Sequence, residues 1–146
     1  MKIKNDNNLD IALILAKHGL SKTKFRIHLL NLFYNKESLT VKEVMSKSSN
    51  LINKVTIYRA LESFEEKGLI HKVPSSNNMI RYSLCNADEC SSSLHKHNHG
   101  HFICYNCNQT FCLDNYKSPD IKLKEGFYIS SLKLILEGYC KDCYLN

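Results

Sequence analysis

Two CxxC pairs, Cys104/Cys107 and Cys140/Cys143, enclose 32 residues, and the alternating run His95, His97, His99, His101 stands immediately before the first pair. A CxxC turn sets two thiolates on one side of a tight loop, and two such turns supply the four tetrahedral ligands of a closed structural zinc site. The fold must therefore bring the segments around 104 and 140 together. Disulfides or a thioredoxin-like dithiol are the competing readings of these cysteines. The stretch from Met1 to Asn8 is polar and Asp10 interrupts the first apolar run, so no signal-peptide pattern opens the chain. The expected setting is a reducing cytoplasm, where thiolates and zinc are favoured.

Charge divides the chain. Residues 1–84 carry 14 Lys/Arg against 7 Asp/Glu, and residues 85–146 carry 6 against 7, so the net charge of +6 is +7 in the first part and −1 in the second. A basic module followed by a neutral, metal-rich one suits a polyanion partner, because phosphate contacts from Lys and Arg supply most non-specific affinity for nucleic acid. No apolar run approaches the roughly 20 residues of a membrane span.

The basic part reads as helices followed by a hairpin. Leu9 to His18 carries a helical apolar stripe and stops at Gly19. A second helix is expected from about Thr23 to Tyr34 with Phe25, Leu29, Leu32 and Phe33 inward. A third begins near Thr40, where Glu43 completes a capping-box pattern. In the fourth, Ile57, Ala60, Leu61 and Phe64 follow the i, i+3, i+4, i+7 template and Gly68 ends the run. Leu69 to Val73 and Met79 to Leu84 then flank a Pro-Ser-Ser-Asn-Asn turn, as a hairpin would. This order describes a winged helix, whose last helix enters a major groove, with a helical bundle as the plain alternative.

The segments Gly19-Leu20 with Thr23 and Arg26, Lys54-Val-Thr-Ile-Tyr-Arg-Ala-Leu61, Glu66-Lys-Gly-Leu-Ile-His-Lys-Val73, His99-Gly-His-Phe-Ile-Cys-Tyr-Asn-Cys107 and Gly138-Tyr-Cys-Lys-Asp-Cys143 resemble the ferric uptake regulator family in order and spacing. The resemblance implies an α+β chain: a winged-helix DNA-binding domain over 1–84, a hinge over 85–97 and a small α/β dimerisation domain over 98–146 with the four-cysteine zinc site. It also implies a homodimeric, metal-dependent repressor rather than an enzyme, with double-stranded DNA as its partner and no small-molecule substrate. On matching positions, Thr56, Tyr58 and Arg59 lie in the recognition helix, and Lys17 and Arg26 are similar in place to backbone or minor-groove contacts. Tyrosine and arginine suit thymine methyls, phosphates and guanine edges.

The remaining ligand types choose among branches. Iron-using members present a histidine and a carboxylate where this chain has Ser38 and Ser83, both poor ligands. His71 and Cys85 are instead similar to regulatory ligands of the zinc uptake regulator branch, completed by His97 or His99 and by Cys112. The resemblance thus implies a regulatory zinc at His71, Cys85, His97 or His99, and Cys112, beside the structural zinc. His95 and Cys90 fall in the hinge, and Asn98 and Gly100 leave no third site. Assignment within the histidine run stays open, because alternate residues of a strand share one face. The implied function is zinc-dependent repression at palindromic AT-rich operators, in control of zinc uptake genes, with an iron- or peroxide-sensing regulator as runner-up.

In the second part, Phe102-Ile103, Thr110-Phe111 and Phe127 to Leu136 read as strands. Ser118-Pro119-Asp120 has the pattern of a helix start. The Leu132, Leu134, Leu136 alternation with Ile135 opposite fits a sheet buried on both faces, as at a dimer interface. A zinc deaminase would need a Pro-Cys-x-x-Cys segment and a nearby glutamate, yet Tyr139 and Ile103 precede the cysteine pairs. A DNA-binding module with structural zinc alone would bind DNA with no response to added metal.

Overall fold

The computed structural model describes residues 8–48, 52–85, 99–114, 116 and 119–145. Helix α1, Asn8–Lys17, ends where Gly19 turns left-handed at φ 68°, a conformation that glycine adopts at little cost. Helix α2, Lys24–Tyr34, is capped by Thr23, whose hydroxyl accepts the Arg26 N–H. Its inward residues are Leu29, Leu30 and Phe33; Phe25 and Leu32 are only half-buried, so the apolar stripe is rotated from the expected one by about a residue. Strand β1, Leu39–Thr40, leads into helix α3, Val41–Lys47. There Thr40 and Glu43 form the full capping box: Glu43 N–H reaches Thr40 Oγ1 at 3.1 Å and Thr40 N–H reaches Glu43 Oε2 at 2.7 Å.

Helix α4, Lys54–Glu66, buries the whole stripe of Ile57, Ala60, Leu61 and Phe64. Gly68, at φ 73°, turns the chain into strand β2, Ile70–Val73. Strand β3, Arg81–Leu84, pairs antiparallel with β2 and also with β1, giving the order β1-β3-β2. The core beneath is continuous from Leu15 through Leu29, Phe33, Leu61, Phe64 and Ile70 to Tyr82. A three-stranded wing on four helices is thus in place. β1, only two residues long, has no signature of its own.

The second sheet contains strands β4, Gly100–Cys104, β5, Thr110–Leu113, and β6, Ile135–Gly138. Its order is β5-β4-β6, antiparallel on one side of β4 and parallel on the other. A one-turn helix, α5, Lys141–Tyr144, follows. Two expectations need correction. No helix forms over residues 119–134, where the chain is irregular and reaches Gly126 at φ 88°; Ser118 itself lies outside the described residues. A short run closed by a left-handed glycine cannot hold a helix without packing. The last strand is confined to Ile135–Gly138, and in the single chain Ile135 and Leu136 are 41% and 40% exposed. In the single chain no described residue covers that sheet face, with Phe127, Tyr128 and Leu132 also exposed beside it.

Candidate metal centre

Two groups of ligand-bearing side chains converge. Cys104, Cys107, Cys140 and Cys143 place their sulfurs within 4.8 Å of one another, and all four are thiols. Cys104 ends β4, and its partner in the parallel register is Gly138, two residues before Cys140; sheet pairing therefore brings the two CxxC turns together. Cys107 and Cys140 sulfurs stand 3.9 Å apart. A tetrahedron with metal–sulfur bonds of about 2.3 Å has edges of roughly 3.8 Å, so the donor set fits a tetrahedral thiophilic ion such as zinc.

The thiols differ in acidity. Cys104 is fully buried, which works against its thiolate, yet N–H donors from the Cys107, Cys140 and Asn106 backbone outweigh burial and bring its pKa to about 6. Burial pushes Cys107 up to about 12. At neutral pH Cys104 is thus ionised and Cys107 protonated. A metal held by four thiolates must displace the Cys107 proton throughout, and below pH 6 it must displace the Cys104 proton as well. The stabilisation that follows from the lowered Cys104 pKa is lost as pH falls through 6. Zinc titration in weak buffer should accordingly release about one proton more per metal at about pH 5.5 than at about pH 7.5, with a steeper loss of affinity. Equal proton release at both would contradict this ordering of the thiols.

The second group is His71, His99, His101 and Cys112, again within 4.8 Å. It spans both sheets. His71 sits on β2, where every residue but Lys72 is buried, and this histidine is 3% exposed. His99 and His101 flank Gly100 at the start of β4, and the antiparallel register sets His101 directly opposite Cys112 on β5. Imidazole rings of His71 and His99 are 5.2 Å apart, and those of His99 and His101 4.8 Å. The Cys112 sulfur lies 3.5 Å from His71 Nε2. Bonds of about 2.0 and 2.3 Å at a tetrahedral centre place nitrogen and sulfur roughly 3.5 Å apart, so this pair also fits a common ion. A cleft of about 360 Å³, lined in part by Lys72, Pro74, His99, His101 and Leu132, borders the group.

Cys85 occupies the other side. Its sulfur is 3.5 Å from His71 Nδ1, the ring nitrogen facing away from Cys112. One ion cannot use both nitrogens of one imidazole, so the geometry separates Cys85 from the Cys112 side of the ring. His101 stands within the group of four and Cys85 does not; the signal for His101 was the period-two spacing of the histidine run. His97, Cys90 and His95 lie outside the described residues.

Ser38 and Ser83, at the positions where iron-using relatives were expected to carry ligands, are engaged elsewhere. Ser83 Oγ donates to the Glu37 carbonyl at 2.6 Å, and Ser38 is fully buried among hydrogen-bond partners.

The candidate DNA-reading residues lie around α4. Thr56, Tyr58 and Arg59 are exposed on the face opposite the core stripe, together with Val55. Asn53 caps the helix through the Thr56 N–H at 2.8 Å, and Lys54 Nζ lies 5.7 Å from the Tyr58 ring centre. Lys17 is exposed at the end of α1. Arg26 is half-buried: its guanidinium donates to Ser21 and, at 3.4 Å, to Ser63 Oγ, tying α2 to α4.

A profile described as the ferric uptake regulator family matches residues 17–137. A ferric uptake regulation protein of Staphylococcus aureus is 30% identical over 142 residues, covering 94% of this chain and 98% of its own length. Among solved structures, a zinc uptake regulator complexed with zinc and DNA superposes with TM-score 0.63 at 22% identity, covering 97% of both chains. The iron-bound ferric uptake regulator of Francisella tularensis superposes with TM-score 0.54 at 26% identity, covering 86% of this chain and 96% of its own. The chain is a transcriptional regulator belonging to the ferric uptake regulator family.

Proposed function

We propose that this regulator is a zinc-responsive repressor, which binds palindromic AT-rich operators as a homodimer when a sensor ion is held by His71, His99, His101 and Cys112. The observation that carries the reading is the convergence, within 4.8 Å, of one ligand from the wing strand β2 with two from the second sheet, His101 and Cys112, and with His99 just ahead of β4. An ion there fixes the reading domain, 1–84, against the pairing domain, 98–146, across the segment 85–97. Cys85, at the far nitrogen of His71, acts as an outer partner that sets the ring's orientation and tautomer. The sulfur donor and the engaged serines favour zinc over iron.

The remaining roles follow from position. Cys104, Cys107, Cys140 and Cys143 hold a structural zinc. Tyr58, Arg59 and Thr56 read the major groove, Lys17 contacts phosphate, and Arg26 holds the helices in register. A second copy covers the exposed apolar face of β6 and the 127–132 segment. Among the described residues no helix is long and apolar enough to cross a membrane, in keeping with a cytoplasmic regulator. Moving a conformational equilibrium from 1:99 to 99:1 takes roughly 5.5 kcal/mol of differential binding, within the about 10 to 16 kcal/mol of thiolate-bearing zinc sites.

The test is a selection of duplexes from a random pool on zinc-loaded protein, followed by DNA-binding titrations with zinc, iron(II) and manganese(II). Zinc should raise affinity for the selected duplex at least tenfold, more than either other ion at equal free concentration, and Cys112→Ser should lose the effect. A larger response to iron(II) or manganese(II) would transfer the sensor to that metal. DNA binding indifferent to all three would leave a module with structural metal only.

A further inference from the structure

Beyond the metal clusters, the two sheets meet at a buried polar node centred on Ser38, fully buried ahead of β1. Its hydroxyl accepts from Arg81 Nε at 3.0 Å and from the Thr110 N–H at 3.0 Å. Its own N–H donates to Gln109 Oε1 at 3.2 Å, and Thr110 Oγ1 donates to the Pro74 carbonyl at 2.7 Å. Three bonds thus cross from the wing domain to the start of β5. None involves the sensor ligands, but Thr110 lies on the same four-residue strand as Cys112, two positions away.

The node continues inward. Arg81, 2% exposed, donates from Nη2 to the Ser38 carbonyl at 3.0 Å and lies 3.1 Å from Glu43 Oε2. That oxygen also accepts the Thr40 N–H, the bond that caps α3. α3 in turn packs against α4, the helix that presents Tyr58 and Arg59. A buried guanidinium requires its acceptors, and a buried N–H such as that of Thr110 requires its own, so displacing β5 from Ser38 carries a desolvation cost that a plain apolar contact does not.

We propose that Ser38, Arg81 and the Gln109-Thr110 pair form a latch through which the position of β5, set by the ion at Cys112, is passed to the α3 cap and so to α4. These are positioning residues for the metal response, touching neither metal nor DNA. The latch rests on the metal-dependent reading given above. It differs from a simple packing contact in one respect: parting it uncouples the two sites while each still binds.

The experiment compares wild type, Ser38→Ala, the double variant Gln109→Ala/Thr110→Val and Gln109→Glu, each measured for affinity to the selected duplex with and without zinc. Ser38→Ala removes the shared acceptor from the wing side, and the double variant removes the two crossing bonds made by the Gln109 and Thr110 side chains, leaving the residue-110 N–H and Arg81 on Ser38. The zinc-dependent gain in DNA affinity should fall at least fivefold in both, with zinc-free DNA affinity within twofold of wild type. Gln109→Glu, which keeps an acceptor for the Ser38 N–H, should retain the gain. By reciprocity the duplex should also lose its tightening of zinc binding by the same factor, measured by competition with a chelator. Equal weakening with and without zinc, or a full gain in the double variant, overturns the latch; should Ser38→Ala fail to fold, the double variant decides alone. Absence of any zinc gain in wild type instead removes the sensor reading on which the latch rests.

Discussion

Cys104→Ser should release the tightly held metal ion and unfold the β4-β5-β6 sheet while α1 to α4 stay folded. The reason is how little else holds that sheet. Among the described residues from 99 to 145 only Gly100, Ile103, Cys104 and Thr110 are buried, too small an apolar core for independent stability. On the proposed reading a metal ion at the four sulfurs contributes to the difference, and structural zinc sites supply about 10 to 16 kcal/mol at neutral pH. Cys104 is the most consequential of the four sulfurs. It is fully buried, accepts the Cys140 N–H at 3.3 Å, and its carbonyl receives the Asn108 N–H that shapes the first CxxC turn. Metal content together with hydrogen exchange would read the outcome: protection lost over β4 to β6 and kept over α1 to α4. Cys112→Ser should keep both the tight metal and the protection. Retention of metal and protection by Cys104→Ser would remove the sulfur cluster from its structural role.

Phe64→Ala should cost the wing domain about 3 to 5 kcal/mol, a large share of the roughly 5 to 15 kcal/mol by which folded domains exceed their unfolded chains. Phe64 is fully buried at the last position of the α4 stripe, in the core that also contains Leu61, Leu69 and Ile70. A ring removed there leaves a cavity between the helix and the sheet behind it. The denaturant midpoint of the wing domain should fall accordingly, and DNA binding should fall with it. Val55→Ala, on the opposite face at 57% exposed, should stay within about 0.5 kcal/mol. Comparable losses from the two would mean that α4 does not bury the face described.

What could be read from the amino acids was what local chemistry decides. The α4 stripe, the Thr40-Glu43 capping box and the left-handed glycines 19 and 68 each declare themselves within a few residues, and each took the expected place. Two-residue β1 did not, because its strand character comes only from pairing with β3. The Ser118-Pro119 helix signal was followed by no helix among the described residues, since a capping pattern cannot supply the packing that a short helix needs. At the metal site, the family resemblance pointed to His71, Cys85, His97 or His99, and Cys112, of which the structure brings His71, His99 and Cys112 within one group. That His101 joins them and Cys85 faces the opposite nitrogen depends on the β4-β5 register and on the turn of the His71 ring, both tertiary facts. Ser38 was marked only as a poor ligand, and nothing in the sequence tied it to Arg81 or to Thr110. A serine ahead of one short strand and an arginine at the start of another look like solvated surface until the second sheet is laid against them.

The parallel pairing of β4 with β6 has a consequence for biosynthesis. His101 finds Ile135 as its register partner, and Cys104 waits for the sulfurs of residues 140 and 143. A ribosome delivers residues in order, and N-terminal units generally fold first. The helix that faces the groove can therefore be finished and exposed while the cage that would pin the other half has only two of its four walls. On the proposed roles, filling of the four-sulfur site in a newly made copy is a late event, and a cell short of metal would accumulate copies with a folded first part and an unassembled second.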